Sequence, residues 1–198
     1  MDCRGTWYQI LSLLLAYPDD RLYAALPSVA AAVAQWPAGR LKDGLQSTLA
    51  QMAAEDLLRL QETYTAAFDL DPAGTLNLTY HLWRDSEKRS AALAHLHQLY
   101  QDAGWETTTG ELPDYLPLML EFMVIRPEAR PHDLIRTCLG CLEDLTDTVR
   151  TKSPHYAALL ALLDEDLRCR GERVAAGDGA PQPPKGRRGL TSPNRRSI

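Results

Sequence analysis

Residues 133–149 read DLIRTCLGCLEDLTDTV, and their apolar side chains recur at steps of three and four. This spacing places apolar side chains on one face of an α-helix, because a helix has 3.6 residues per turn. The stretch therefore predicts an amphipathic helix whose apolar face packs against other helices. The positions on that face are Ile135, Cys138, Leu142, Leu145 and Val149.

The composition favours helix for the rest of the chain as well. Among the 198 residues there are 33 Leu and 25 Ala, but only five Val and four Ile. Leu and Ala favour helices, whereas β-branched residues favour strands. A parallel-sheet or sandwich protein is therefore excluded, and the length suits one domain. We predict an all-α, single-domain helical bundle.

Proline and glycine divide residues 1–170 into successive helices. We expect Pro27-Ser28 to break or restart the second helix, since an internal proline removes a backbone hydrogen bond. Pro113 and Pro117 are expected at the start of a later helix, where proline is tolerated.

From residue 171 onward apolar residues nearly vanish, and six basic residues accompany two acidic ones. Residues 171–198 are therefore predicted to form a disordered, basic tail.

Cysteine content and charge bound the environment of the protein. Four unevenly spread cysteines do not make a disulfide framework, so a reducing cytoplasm fits best. No apolar stretch approaches the ~20 residues that a membrane span needs, and we expect no transmembrane segment. The net charge is −5, and the part before the basic tail is more acidic still. An acidic body disfavours nucleic acid as a partner.

The sequence motifs of common enzymes are absent. There is no G-x-G-x-x-G, no phosphate-binding G-x-x-x-x-G-K-[ST] and no H-E-x-x-H. Cys138 and Cys141 have a metal-like spacing but no second ligand pair, so we predict two reduced, buried thiols. His81 and Asp85 form the best candidate catalytic pair, yet no nucleophile or ligand set accompanies them. We expect no catalytic residue, no bound metal and no cofactor.

Two segments combine aromatic, acidic and apolar residues at positions between helices. They are LPDYLPLMLEF at 112–122 and LTYHLWRDS at 78–86. Such loops are typical of a binding groove, and an acidic groove with an apolar floor suits an amphipathic helix that carries Arg or Lys. Equally, the prolines shape a turn and Asp114 caps the following helix. The residues alone leave both interpretations open.

At these segments the chain resembles the NarJ-type nitrate reductase assembly chaperones, a branch of the helical TorD/DmsD-like family. Four blocks carry the resemblance: LLAYPDD at 14–20, YTAAFD at 64–69, LTYHL at 78–82 with Asp85-Ser86 and Arg89, and ELPDYLPLMLEF at 111–122. The last block is long and specific. Three positions depart from the family pattern, and they concern one loop and its contacts. Arg84 and Ser90 stand where the family commonly has Gly, and Glu87 stands where an Arg often follows the Asp-Ser pair.

The resemblance implies a TorD-like bundle that acts as a system-specific chaperone and not as an enzyme. Its partner would be the N-terminal segment of the nitrate reductase catalytic (alpha) subunit. It would keep that apoenzyme competent for molybdenum cofactor insertion and assembly without joining the finished reductase. It would hold no cofactor itself, and it would approach the membrane only through the client complex. The alternative is a maturation chaperone for a related molybdoenzyme.

Taken with the two segments, the resemblance predicts one groove for the client peptide. The expected apolar floor consists of Tyr64, Phe68, Tyr80, Leu116 and Leu120. The expected acidic rim consists of Asp69, Asp85, Glu111, Asp114 and Glu121. The other predicted client-peptide contacts are His81, Ser86, Arg89, Pro113, Tyr115 and Pro117.

Overall fold

The computed structural model describes residues 3–106, 110–130 and 132–171. Within these ranges the chain is helical, and extended backbone pairs only in an isolated antiparallel bridge between Asn77 and Tyr115. The α-helices are α1 (Cys3–Leu15), α2 (Asp20–Ala34), α3 (Arg40–Ala54), α4 (Leu57–Tyr64), α5 (Leu78–Trp83), α6 (Glu87–Asp102), α7 (Leu116–Ile125), α8 (Asp133–Leu139), α9 (Leu142–Arg150) and α10 (Pro154–Arg170). A π-helical segment (Thr65–Asp69) continues α4, and 3-10 turns cover Pro72–Gly74 and Pro127–Ala129. The predicted all-α class is confirmed.

The core forms where α1 packs along α7 and where α10 packs on α9 and α3. The apolar face predicted in residues 133–149 is fully buried at all five of its positions. That face spans two helices, because Gly140 and Cys141 form a turn between α8 and α9. Cys138 and Cys141 are buried free thiols, as predicted.

The predicted break at Pro27-Ser28 is wrong, because α2 continues through Pro27 to Ala34. Pro27 is exposed, and it removes only one backbone hydrogen bond from the helix. Leu22 and Leu26 before it and Val33 after it are buried in the same core. Packing on both sides of the proline therefore holds the helix together.

The other predicted boundaries agree better with the structure. Pro117 is the second residue of α7, while Pro113 lies in the turn before it. Helix α10 ends at Arg170, followed by Gly171 in the left-handed conformation with φ of 65°. Apart from Gly171, the predicted tail lies outside the described residues. None of the described helices is both long and apolar enough to cross a membrane.

Burial of three histidines predicts that acid lowers the stability of the fold. Burial lowers the pKa of His81, His132 and His155, although Glu55 opposes the effect at His155. The unfolded chain would therefore take up protons near pH 6.5, before the folded chain does. The stabilising contribution is complete above that pH and is lost as the pH falls toward the lower folded pKa values. We expect urea titration to give a smaller free energy of unfolding at about pH 5.5 than at about pH 7.5.

The variant His155→Gln serves as the control for this effect. His155 is buried, and its Nδ1 lies 3.8 Å from Glu55 Oε1. Its Nε2 has no hydrogen-bond partner among the residues that the structure describes. The variant should show a smaller loss between the two pH values. A free energy of unfolding that rises on acidification would contradict the assignment.

Candidate functional site

Three tyrosines meet where α1, α4 and α7 come together. The Tyr64 hydroxyl, at the end of α4, lies 3.2 Å from the Leu15 carbonyl and 3.0 Å from the Tyr115 hydroxyl. Because a carbonyl can only accept, Tyr64 donates to Leu15 and accepts the Tyr115 proton. The ring of Tyr17 packs edge-on against Tyr64 with centroids 5.3 Å apart, and Tyr17 remains 49% exposed. An aromatic surface is thus anchored by hydrogen bonds at its buried edge.

Three carboxylates act electrostatically on the hydroxyl of Tyr115. Burial raises the pKa of Tyr115, and the negative charges of Glu111, Asp69 and Glu121 raise it further, although its hydrogen bond with Tyr64 opposes them. Burial also raises the pKa of Asp69. Glu121 is fixed by Ser12, whose Oγ donates to its Oε1 at 2.9 Å. All three carboxylate side chains belong to exposed residues. We call this region the tyrosine–carboxylate surface: Tyr17, Tyr64, Tyr115, Asp69, Glu111 and Glu121.

The π-helical segment places Asp69 on the tyrosine–carboxylate surface and Phe68 beside it. The amide of Leu70 donates to the Thr65 carbonyl at 3.1 Å, which is the i to i−5 bond of a π-helix. The wider turn carries Phe68 inward, against the ring of Tyr64 at 4.8 Å between centroids, and leaves Asp69 exposed. Single π turns within α-helices are frequent at functional sites.

A cleft of about 340 Å³ adjoins the tyrosine–carboxylate surface through Phe68 and Asp69. It also brings in Tyr80 of α5 and Arg89 of α6, which were predicted to contact the peptide. The remaining lining residues are Pro72, Thr75 and Asn77. The cleft therefore has an apolar and aromatic wall with one carboxylate and one guanidinium.

The prediction that Asp114 lies on the acidic rim is wrong, because its side chain is 0% exposed. Its carboxylate accepts from the backbone amide of Thr79 at 3.1 Å and from the Thr79 hydroxyl at 2.5 Å. It also accepts from the Asn77 amide at 3.1 Å. Asp114 therefore caps the first turn of α5, 35 positions earlier in the chain, and does not cap α7.

Leu116, Leu120 and Pro117 were predicted to contact the peptide, but they are buried. Helix α7 is apolar nearly all round, and such a helix packs on every side. A side chain that is 0% exposed, as Leu116 and Leu120 are, cannot be the floor of a surface groove in this conformation. Those assignments are corrected to core positions. Tyr64 and Phe68 are 4% exposed, so they contribute only ring edges to the surface.

The remaining predicted residues are His81, Asp85 and Ser86, around the end of α5 and the start of α6, and Pro113, in the turn before α7. The Nε2 of His81 donates to the Thr75 carbonyl at 2.7 Å, so His81 is bonded to the backbone rather than to Asp85. Asp85 is exposed and faces Arg89 at 3.5 Å. Ser86 is the N-cap residue of α6. Pro113 accepts a bond from the Tyr100 hydroxyl through its carbonyl, at 2.7 Å.

Several exposed apolar residues near the site were missed by the sequence reasoning. Leu70 is 75% exposed and follows Asp69, and Leu112 is 43% exposed and follows Glu111. A groove of about 500 Å³ lies between α1 and α7, with Leu13 and Ile125 exposed in it and Glu121 in its wall. Of these residues, Tyr17 could have been found from the sequence, because it lies in the first block of the resemblance. The others are adjacent to the site only in the folded chain.

No group of three or more metal-binding side chains occurs among residues 3–106, 110–130 and 132–171. The polar groups of the cleft and surface are single carboxylates, hydroxyls, the Asn77 carboxamide and one guanidinium. This arrangement suits recognition of charged and apolar side chains.

Comparison with known proteins shows which family this chain belongs to. The family described as "Nitrate reductase delta subunit" matches residues 33–160. The chain belongs to this family. It is 30% identical over 179 residues to a Bacillus subtilis (strain 168) protein named probable nitrate reductase molybdenum cofactor assembly chaperone NarJ, covering 90% of this chain and 97% of the relative.

A further relative agrees with this membership, and a solved structure agrees with the fold. The nitrate reductase molybdenum cofactor assembly chaperone NarJ of Escherichia coli (strain K12) is 30% identical over 156 residues, which cover 78% of this chain and 66% of that protein. A crystal structure described as a candidate redox enzyme maturation protein from Archaeoglobus fulgidus has the same fold. It superposes with a TM-score of 0.60 at 22% identity, covering 85% of this chain and 95% of that one. The resemblance to the NarJ-type, TorD-like family is therefore confirmed.

Proposed function

We propose that this member of the delta subunit family is a chaperone that binds the N-terminal segment of the nitrate reductase catalytic (alpha) subunit. It keeps the apoenzyme competent for molybdenum cofactor insertion and is absent from the finished reductase. The observation that carries the proposal is the tyrosine–carboxylate surface, which offers exposed aromatic area beside three carboxylates. A related molybdoenzyme is the alternative client.

The surface suits a peptide that is both apolar and basic. Tyr17, Leu70 and Leu112 present exposed apolar area, which supplies affinity when it is covered. Asp69, Glu111 and Glu121 attract Lys or Arg, which sets orientation and the rate of association. A flexible peptide loses entropy when it orders, so affinity stays moderate and release remains possible.

The groove between α1 and α7 extends the binding surface. Glu121 belongs to both regions, since it lies near Tyr115 and also lines the groove. Ile10, Leu13 and Val124 make the groove apolar beyond this carboxylate. A helical peptide could therefore pair a basic residue with Glu121 and place its next apolar residues in the groove, at spacings of three and four.

The proposal includes no catalytic step and no resident cofactor. The protein would act in the cytoplasm and would contact the membrane only through its client. The acidic surface favours a basic peptide and disfavours nucleic acid. The proposal divides the chain into a chaperone domain at 1–170 and a basic tail at 171–198.

We expect neutralisation of the three carboxylates to weaken client binding by at least about tenfold. The triple variant Asp69→Asn, Glu111→Gln, Glu121→Gln keeps side-chain shape and removes three charges. Isothermal titration would use a peptide of about 15 residues copied from the start of the alpha subunit of the same organism, a length that forms only a marginal free helix. The wild-type protein should bind it one to one, and less tightly as salt is raised.

The matched control removes three carboxylates elsewhere, two on exposed residues and one on the half-buried Glu165: Asp43→Asn, Glu128→Gln and Glu165→Gln. Glu128 follows the opposite end of α7 from Tyr115, and the pair of Glu165 with Arg40 is at the surface. The control should bind within about twofold of the wild type, because distant exposed charges are screened. Equal weakening in both triple variants would show a general charge effect and contradict the assigned surface.

A further inference from the structure

Arg84 has a strained backbone at the end of α5. Among the described residues it is the one non-glycine residue with a positive φ, at 49° with ψ of −150°. This conformation favours glycine, because a Cβ atom crowds the backbone there. Strain of this kind persists where a side chain has a role that the surrounding structure supports.

The side chain of Arg84 is held against Tyr80 beside the cleft. Its Cζ atom lies 5.1 Å from the centroid of the Tyr80 ring, and the Cζ atom of Arg89 lies 5.5 Å from the same centroid. Both distances are within the range of a cation–π contact. One ring thus gathers two guanidinium groups at a cleft that Tyr80 and Arg89 both line.

Arg89 is positioned by a chain of hydrogen bonds that begins in the core. Its Nε donates to the Thr79 hydroxyl at 3.3 Å, and that hydroxyl donates to the buried carboxylate of Asp114. The guanidinium is thereby held from the buried side, while its Nη1 faces Asp85 at 3.5 Å. Asp114 acts on the cleft through Thr79, as a positioning residue.

The positive charges of the two guanidinium groups are paired with few carboxylates of the protein itself. Within the described part of the chain, Asp85 is the one carboxylate at ion-pair distance from either group, 3.5 Å from Arg89 with a side chain that is 83% exposed. Arg84 forms no ion pair with any described residue. Two guanidinium groups, with a single exposed carboxylate at ion-pair distance, therefore stand beside a surface that is otherwise acidic.

We propose that Arg84 and Arg89 form a carboxylate-binding position at the cleft, and that the bound peptide carries an Asp or Glu side chain near its basic residues. This inference rests on the proposed function. It adds an acidic side chain to the apolar and basic residues that the client peptide is proposed to carry. A guanidinium pairs with a carboxylate through two parallel hydrogen bonds. A singly charged carboxylate suits the position better than a doubly charged phosphate, because Asp69 lines the cleft and Asp85 faces Arg89, and both would repel the larger charge.

The test uses the full-length chain and a probe that contains no client sequence. The probe is N-acetylglutamate with an amidated α-carboxyl, so that its side chain holds the one carboxylate; the uncharged isostere is N-acetylglutamine amide. Nuclear magnetic resonance would follow the Nε–H signal of Arg89. The glutamate probe should shift this signal saturably, and the glutamine probe should not.

The variant Arg84→Gly separates a binding role from a structural one. It should weaken the glutamate probe by about tenfold and, by relieving the positive φ, raise the urea midpoint of unfolding. Lys88→Ala, which removes an exposed charge from α6 beside Arg89, should bind within about twofold of the wild type. A structural role alone would not give opposite changes in binding and stability.

Three outcomes would overturn the proposal: unchanged binding in Arg84→Gly, equal binding of the glutamine probe, or tighter binding of inorganic phosphate than of the glutamate probe. Because no client sequence is involved, a failed peptide titration with a successful probe titration would overturn only the chaperone assignment. The reverse pair of results would overturn only the carboxylate position.

Discussion

The variant Asp114→Ala is expected to lose about 3–5 kcal/mol of unfolding free energy, the loss typical of removing one partner from a buried charged network. The carboxylate accepts from the backbone and hydroxyl of Thr79 and from Asn77, and alanine would leave these donors unpaired. The backbone carbonyl of Asp114 also accepts from Leu78 at 3.1 Å. Alanine keeps this backbone bond, so the first turn of α5 would lose its side-chain attachment to the segment before α7 but not the backbone one. Urea unfolding followed by circular dichroism measures the loss.

Two further variants make this result interpretable. Asp114→Asn retains the shape and one accepting oxygen, so its loss should fall between those of the wild type and Asp114→Ala. Asp43→Ala removes an exposed aspartate and should change the free energy by less than about 0.5 kcal/mol. If Asp114→Ala lost less than about 1 kcal/mol, the buried network would not be what holds α5 in place.

The variant Gly74→Ala is expected to lose about 3 kcal/mol or more. A Cβ atom at Gly74 would lie 2.0 Å from the backbone carbonyl oxygen of Ala67, which belongs to the π-helical segment. Backbone cannot rotate away as a side chain can, so the π segment or the 3-10 turn must shift. Phe68 and Asp69 follow Ala67 directly, and the shift should also weaken client-peptide binding.

Gly44→Ala is the matched control for this variant. A Cβ atom at Gly44 would meet the side-chain end of Leu162 at 2.8 Å, and that end can change rotamer. Gly44 lies inside α3, where alanine also favours the helix by up to about 1 kcal/mol. We expect a net change within about 1 kcal/mol and unchanged peptide binding. A Gly74→Ala protein as stable as the Gly44→Ala protein would show that the close approach to Ala67 is not tight.

Helix positions could be predicted because the buried apolar residues of a helix recur every three or four positions, and this recurrence is visible in the sequence. Ile135, Leu142 and Val149 are buried as their spacing predicts, even though a turn divides their helix. The error at Pro27 has the opposite origin. A local rule predicted a break, but packing on both sides of the proline outweighed one missing hydrogen bond.

The candidate site was only partly predictable, because its residues are defined by partners far away in the chain. Asp114 looked like a rim carboxylate, yet its acceptors are used by residues 35 and 37 positions away. The sequence could have shown that Leu116 and Leu120 are not a groove floor, because Glu121 is the one charged residue of α7. A helix so apolar is buried, and its single carboxylate marks the exposed side. The π segment gave no warning in the sequence.

The most direct test of the central claim is the molybdenum content of the catalytic subunit purified from cells that lack this chain. Supplying the wild-type protein, or the control triple variant Asp43→Asn, Glu128→Gln, Glu165→Gln, should restore molybdenum to the subunit. The triple variant of Asp69, Glu111 and Glu121 at the tyrosine–carboxylate surface should leave most of the subunit without molybdenum. Full molybdenum loading with that variant, or with no chaperone supplied, would contradict the account.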